Sequence, residues 1–334
     1  MQKSALIVTS IAAPHAILRA LASGAAEHGV PFYIIGDVPS PVDFHLDGCS
    51  FYSLAEQRRL GFQLAQLCPE RHYARKNLGY LLAMRNGAEV LIETDDDNLP
   101  RTEFWAEREL FHLAPALDRR GWVNVYAWYT DALIWPRGYP LDLIRKPHWD
   151  GLPEPTRIQA PIQQGLADDN PDVDAIYRLV EKLPVRFERN LEIALGRGSW
   201  CPFNSQNTTW FREAFPLLYL PSHCSFRMTD IWRSFVAQRI AWENNWTVLF
   251  HGATVEQARN EHSLMRDFRD EIPGYLNNAA IAEALEALSL RSGVEHLAEN
   301  LFSCYEQFVR LGLVDPAELR LLRAWVEDCQ DTSA

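Results

Sequence analysis

Cysteines are few and scattered in this chain, and no two of the six stand in a C-x-x-C spacing. That excludes a cysteine-ligated zinc site and a disulfide framework, and it predicts reduced thiols in a cytoplasmic protein. No apolar run approaches the length of a membrane span. The opening stretch MQKSALIVTSIAAP is too short for a signal sequence, is stopped by Pro14, and reads as a first strand. Cations are in deficit: 32 Lys and Arg against 44 Asp and Glu leave a net charge of −12. General binding to nucleic acid or to an anionic membrane is excluded on that balance. Without secretion, the sequons at Asn207 and Asn245 carry no weight. Internal repeats and low-complexity segments are missing as well.

What is present is a large apolar store. Hydrophobic residues make up 47% of 334, with eleven Trp and sixteen Phe, enough for one large α/β domain or a domain with an appendage. ALIVTSI (5–11) reads as a buried strand, followed by a helix over about 14–28. VPFYIIGD is a second strand ending at Asp37. Ser53 and Glu56 have capping-box spacing and open a helix to about Leu67. A further helix runs from about Arg75 to Asn86 with Gly87 at its C′ position, and AEVLIET is the next strand. Alternation of this kind predicts a mostly parallel sheet covered by helices. Beyond residue 100, GWVNVYAWYT and DALIWP read as strands, and the proline-rich stretch 147–172 as a long loop or strap. Asp174 reads as the N-cap of a short helix. TDIWRSFVAQRIAWENN is helical and WTVLFH a strand. The pattern divides the chain into an α/β domain over 1–265 and a helical C-terminal appendage over 266–334.

The stretch VLIETDDDNLP places Asp95, Asp96 and Asp97 directly after a strand. Three adjacent carboxylates repel one another and need solvent, a cation or a partner. The helix over 75–86 is about 18 Å long and the strand behind it about 20 Å, so Arg75, Lys76 and Asn77 are expected at the same sheet edge as the aspartates. That edge is where open α/β sheets bind ligands. A cationic helix start is an anion site, and hard divalent cations prefer carboxylate oxygens; together they describe a diphosphate grip. A solvated turn is the plainer reading. An EF-hand is excluded by the missing Gly and terminal Glu, and a dehalogenase-type phosphatase is a weak rival.

A second group surrounds Asp230, at the head of the helix over 229–245. It reads either as a helix cap or as a general base facing the cleft, with Arg227 and Arg233 nearby to keep it ionised or to bind phosphate. Asn204, Ser205, Gln206 and Asn207 carry the donors and acceptors that sugar hydroxyls or a uracil edge require. His251, Glu256 and His262 follow the last strand and are candidates for a third metal ligand.

With ETDDDN and TDIWRSFVAQR in place, the chain resembles a GT-A nucleotide-sugar glycosyltransferase. It is similar above all to the STELLO-type family and the plant reversibly glycosylated polypeptides. The resemblance runs through RKNLGYLLAMRNGAEVLIETDDDN, WPRGYPLDLI, ADDNPDVDAIYRL and PFNSQNTTWF, covers about residues 5–262, and says little about the helical tail. It implies a GT-A-type sheet and a metal (Mn2+ or Mg2+) held by Asp95 and Asp97; the family's His soon after the last strand falls at about Glu256 here, a departure, and His262 is taken as the third ligand from the candidates above. It also implies a UDP-sugar donor met by Thr9, Asp37, Arg75, Lys76, Asn77, Asp96, Asn204 and Gln206, with Asp230 as catalytic base. The acceptor would be a glycan or another hydroxyl compound, the outcome inversion, and the partner set is compatible with a homo-oligomer. Arg137 falls where the reversibly glycosylated relatives carry a self-glycosylated Arg. A nucleotide-sugar mutase and a GT-A-like scaffold without turnover are the alternatives.

Overall fold

The computed structural model describes residues 3–146, 151–259 and 263–333. Its first part follows the expected alternation. β1 (Ser4–Thr9) leads into α1 (Ala16–Glu27), then β2 (Phe32–Ile35) and β3 (Ser50–Tyr52). Ser53 caps α2 (Leu54–Gln57) through the predicted capping box, with its own N–H donating to the Glu56 carboxylate at 2.8 Å. The helix expected to Leu67 is broken in two, its second piece being α3 (Gln63–Leu67). A turn of 3-10 helix, Tyr73–Arg75, precedes α4 (Lys76–Arg85). Gly87 ends that helix at φ 82°, a conformation that costs glycine nothing. β4 (Val90–Thr94) is buried at every residue and delivers the three aspartates.

Beyond residue 97 the chain departs from expectation. β5 (Asn98–Pro100), β6 (Phe111–Ala114), β7 (Ala116–Leu117) and β8 (Gly121–Trp122) are all short. GWVNVYAWYT contributes only β8 and a 3-10 turn, and DALIWP forms no strand. The segment taken for a loop holds β9 (Thr156–Gln159) and β10 (Ile162–Asp168), while its residues 147–150 lie outside the described ones. β10 is wholly buried despite its glutamines, because their amides are spent on backbone. Gln163 Nε2 donates to the carbonyls of Glu109 and Ala160, and Gln164 Nε2 to that of Gly165. A buried amide so paired avoids its desolvation cost. Asp174 caps α5 (Ala175–Val180) as read, accepting the Tyr177 N–H at 2.7 Å. β11 (Glu192–Leu195), β12 (Ser199–Trp200), β13 (Asn207–Phe211), α6 (Thr229–Glu243) and β14 (Val248–Gln257) follow. The chain closes with α7 (Leu264–Glu286), α8 (Leu297–Arg310) and α9 (Glu318–Ser333).

One sheet runs β3-β2-β1-β4-β13-β10-β14-β11-β7, with β5 added on β14. β1 pairs in parallel with β2 and β4. β13 is antiparallel to both β4 and β10, and β10 is parallel to β14. It follows that β1, β2, β4, β10 and β14 all point the same way and end at one edge. Helices flank this mixed sheet, and the arrangement is of the GT-A type that the resemblance implied. Buried Trp200, Trp210, Trp232 and Trp325 anchor a core shared by α4, α6, α8 and α9. The last helix is tied down by carboxylates: Asp328 accepts the Gln63 and Leu64 N–H groups at the start of α3, and Glu318 those of Ser222 and His223. No helix among the described residues is long and apolar enough to cross a membrane.

Candidate functional site

The shared carboxyl edge of these strands opens into a cleft of about 420 Å³, the size of a small-molecule site. It gathers most of the residues singled out in the sequence. Thr9 ends β1, Asp37 follows β2, Asp95–Asp97 follow β4, and Asp230 stands in the first turn of α6. All of these line the cleft, together with Arg75 and Gln206.

The three aspartates are held apart by different partners. Asp95 Oδ1 accepts the Tyr73 hydroxyl at 2.8 Å and lies 3.4 Å from Lys76 Nζ. Asp96 accepts the Ser10 hydroxyl at 2.5 Å, and Asp97 Oδ1 accepts from Gln257 Nε2 at 3.2 Å. Burial raises the Asp95 carboxyl to about 7, against the pull of Lys76 and with the push of Asp97. Burial raises Asp96 too, offset by the Ser10 hydrogen bond. Among the described residues no group of three or more His, Cys, Asp and Glu side chains is arranged to hold a metal ion. Two of the expected three ligands fit the purpose nonetheless. Asp95 and Asp97 face one cleft, the Asp97 charge is felt at Asp95, and a carboxylate made this reluctant to ionise gains most from a cation. Two carboxylates plus substrate phosphate is also a common donor set for Mg2+. The third expected ligand, His262, lies outside the described residues. Its rivals turn elsewhere: Glu256 pairs with Arg101 at 2.8 Å, and burial drives the His251 imidazole down to about 4.

The cationic helix start departs from the reading of it as a diphosphate grip. Arg75 is 2% exposed and Lys76 fully buried. Arg75 Nε donates to Gln57 Oε1 at 2.8 Å and Nη1 to the Cys68 and Pro69 carbonyls. Lys76 Nζ runs beneath the aspartates to the Tyr73 hydroxyl, the Thr94 carbonyl and the Ser205 carbonyl, at 2.7, 2.8 and 3.2 Å. Successive helix residues point about 100° apart, as 3.6 residues per turn requires, so the two cations diverge. Asn77 is further from the role assigned to it: its amide exchanges two hydrogen bonds with the Leu220 backbone. Asn204 lies behind the cleft wall, organising the Gln206 N–H and the Thr208 hydroxyl. Asp37 lines the cleft, but its two oxygens accept the N–H groups of Arg71 and His72, both at 2.9 Å. It shapes the loop that presents Arg71 and His72.

Asp230 is not the helix cap. Met228 occupies that position without a side-chain cap, and the Asp230 carboxylate turns to a partner far away in sequence. Arg137 Nη1 donates to Oδ1 at 3.0 Å and Nη2 to Oδ2 at 2.9 Å, while the same guanidinium grips Asp172 through Nε and Nη2 at 2.8 and 2.7 Å. The Ser205 N–H and hydroxyl add weaker contacts at 3.3 Å. Burial pushes the Asp230 carboxyl up, but Arg137 more than offsets it and leaves it at about 2. Arg233 and Arg227 are committed to ion pairs of their own, with buried Glu93 at 2.7 Å and with Glu271, yet both help to lower the Asp230 carboxyl, as expected of them. Arg137 is 5% exposed and locked between two carboxylates that hold it charged, so no neutral nitrogen is offered for self-glycosylation. Sequence reasoning missed Tyr73, Ser10 and Arg259, all of which line the cleft; nothing in their local sequence marks them.

Residues 227–333 match the family model of the STELLO glycosyltransferases. Over 314 residues the chain is 28% identical to the probable glycosyltransferase STELLO2 of Arabidopsis thaliana and 27% identical to STELLO1 of the same plant. Each alignment covers 88% of this chain and 40% of the relative, so the chain spans less than half the length of the curated relatives it matches. The resemblance read from the sequence blocks is thereby shown. It also extends further than they did, since the family match takes in α7, α8 and α9.

Proposed function

We propose that the cleft is the active site of a divalent-metal-dependent glycosyltransferase that moves a sugar from a UDP-sugar to a hydroxyl acceptor with inversion. The observation that carries this reading is the convergence of Asp95, Asp97 and Asp230 on one cleft at the carboxyl ends of five co-directional strands, in a chain similar to the STELLO glycosyltransferases. Asp95 and Asp97 would hold Mn2+ or Mg2+, which when bound supplies Lewis-acid neutralisation of a departing diphosphate. Ser10 and Asp96 offer a paired hydroxyl and carboxylate to ribose or sugar hydroxyls, and Thr9 and Gln206 add polar wall. Tyr73 and Lys76 fix the Asp95 oxygen in place from below. Asp230 receives the acceptor's proton.

One observation favours a second reading. A carboxyl held at about 2 by Arg137 is a weak base, and general-base efficiency grows as the pKa approaches the working pH. A nucleotide-sugar mutase or a retaining transferase would use the Arg137–Asp230 pair as a fixed dipole and need no proton acceptor there.

Thermal shift with a panel of nucleoside diphosphates, with and without Mn2+, tests the proposal. Shifts of several degrees that need both nucleotide and metal support it. Independent or absent effects would instead support a scaffold that keeps the fold without turnover.

A further inference from the structure

Arginines not used by the reading above gather at the Asp230 end of the cleft. Arg227 and Arg259 line its wall, and Arg178 stands close behind, near enough for its charge to be depressed by both. Each wall arginine is carried by a carboxylate of α7. Asp267 accepts from Arg259 Nη2 at 2.8 Å, and Glu271 from Arg227 Nε at 2.9 Å. Residues 267 and 271 are four apart and share one helix face. Glu271 is fully buried and also accepts the Ala175 N–H and the Tyr275 hydroxyl, so it is a fixed support rather than a mobile counter-ion.

The cluster is short of acceptors. Arg227 Nη2 lies 2.8 Å from Glu271 Oε1, yet its hydrogens are aimed elsewhere and, though buried, meet no acceptor. Arg178 Nε is likewise buried and unaccepted. Burial lowers the Arg178 guanidinium to about 10, with Arg259 and Arg227 adding to the effect, and burial and Arg227 lower Arg259. Of the other carboxylates that act on this cluster, Asp172 and Asp230 are already in the fork of Arg137, and Asp97, which acts on Arg259, is one of the two carboxylates assigned to the metal. Guanidiniums held against mutual repulsion, with N–H groups left over at a cleft wall, are completed by an oxyanion.

Sheet order says which part of a substrate would bring it. The β1 and β2 ends, with Thr9, Ser10 and Asp37, lie on one flank; Asp95–Asp97 are central; Arg259 follows β14 on the other side of the aspartates from β1, where the neighbouring Ala258 N–H donates to the Asp97 carbonyl at 2.9 Å. We propose that Arg227 and Arg259, supported by Glu271 and Asp267, form an oxyanion subsite at the sugar-and-acceptor end of the cleft, selecting a substrate that carries a carboxylate or phosphate there. This rests on the transferase reading for the direction in which the substrate lies. The charged group is carried either by the transferred sugar, as in a uronic acid, or by the acceptor.

Calorimetric titration of UDP, UDP-glucose and UDP-glucuronate, and of inorganic phosphate added to UDP-loaded protein, tests it. The variants are Arg259→Gln with Asp267→Asn and Arg227→Gln with Glu271→Gln, which remove each cation with its counter-charge. The Arg259 pair, being less deeply set, decides the matter should the other fail to fold. UDP affinity is expected to stay the same in the variants. A preference for UDP-glucuronate over UDP-glucose, weakened about tenfold or more, places the oxyanion on the donor sugar. The same loss for phosphate alone places it on the acceptor. Equal affinities throughout, or a matching loss for UDP itself, would overturn the subsite. Phosphate binding to nucleotide-free protein that the variants abolish, with no UDP compound binding at all, would keep the subsite and sink the transferase reading.

Discussion

Arg137 and Asp230, 93 positions apart in the chain, face each other in a fork-to-fork pair, Nη1 to Oδ1 at 3.0 Å and Nη2 to Oδ2 at 2.9 Å. The pair is closed from the far side by Asp172, so one buried cation serves two carboxylates. Charge-assisted, bidentate bonds are the strongest of their kind, and their effect here is to fix the direction of the Asp230 carboxylate while draining its basicity. Base and electrostatic roles for Asp230 therefore predict different behaviour.

Asp230→Asn separates them. The amide keeps the shape and one acceptor for Arg137, so donor binding should stay near wild type, with a melting point a few degrees lower because the guanidinium loses half its countercharge. If Asp230 takes the acceptor's proton, the transfer rate drops about 10²–10⁴-fold. Activity within a few fold of wild type would point to the mutase or retaining reading.

Arg137→Gln should be more damaging to the fold than Asp230→Asn. It leaves Asp172 and Asp230 buried and unpaired, and breaking such a pair costs about 3–5 kcal/mol. Releasing Asp230 from its guanidinium also raises its carboxyl. If Asp230 is the base, the acid limb of the rate profile should therefore lie at higher pH in the variant than in the wild type, where Arg137 holds the carboxyl low. A melting point equal to wild type would show that the clasp does not exist in solution.

Asp95→Ala and Asp97→Ala should abolish the Mn2+-dependent part of UDP binding, read by calorimetry with and without chelator, while the fold survives. Removing Asp97 also removes a like charge beside Asp95. Unchanged Mn2+ and UDP binding in both variants would refute the metal assignment.

Lys76→Met and Arg75→Ala distinguish a buried support from a phosphate contact. Lys76 Nζ links Tyr73, Thr94 and Ser205, so its loss should lower the melting point and disturb Asp95. Arg75→Ala should lower stability through the lost Gln57 and carbonyl contacts, with uridine and UDP affinities changed alike. A loss confined to UDP would restore Arg75 to the diphosphate.

The sequence made the first part of the sheet legible because its signals are local. Ser53 and Glu56, Gly87 and Asp174 each act within four residues of themselves, and the structure places them as their spacing predicts. β10 was illegible because IQQGLAD hides a buried strand behind two glutamines, whose amides find backbone partners only once the sheet exists. The aspartate triplet could be placed from one βαβ unit. The divergence of Arg75 and Lys76 could not, since it depends on Gln57 and Ser205, and the Arg137 clasp needs three segments that meet only in the fold.

Acid stability should carry the signature of His251. Burial, with Arg108 nearby, holds its imidazole at about 4 in the folded chain, partly countered by the Gly252 carbonyl and Glu192, with His112 adding repulsion. The unfolded value is about 6.5. The folded state thus binds the proton less readily than the unfolded one, and stability falls as the pH drops from about 6.5 to 4. The loss is at most about 3 kcal/mol for a shift of this size. Asp174 acts in the opposite sense: burial raises it to about 6, against the Tyr177 N–H and Trp135, so the folded state takes up a proton between 6 and 4 and gains stability there. Comparing wild type with His251→Gln cancels the Asp174 contribution. The difference between their urea midpoints should change by the His251 contribution between pH 7 and pH 4, with the wild type losing ground as the medium becomes acidic. A difference that stays flat over that range would mean that His251 titrates normally and that its burial does not set the acid limit of the fold.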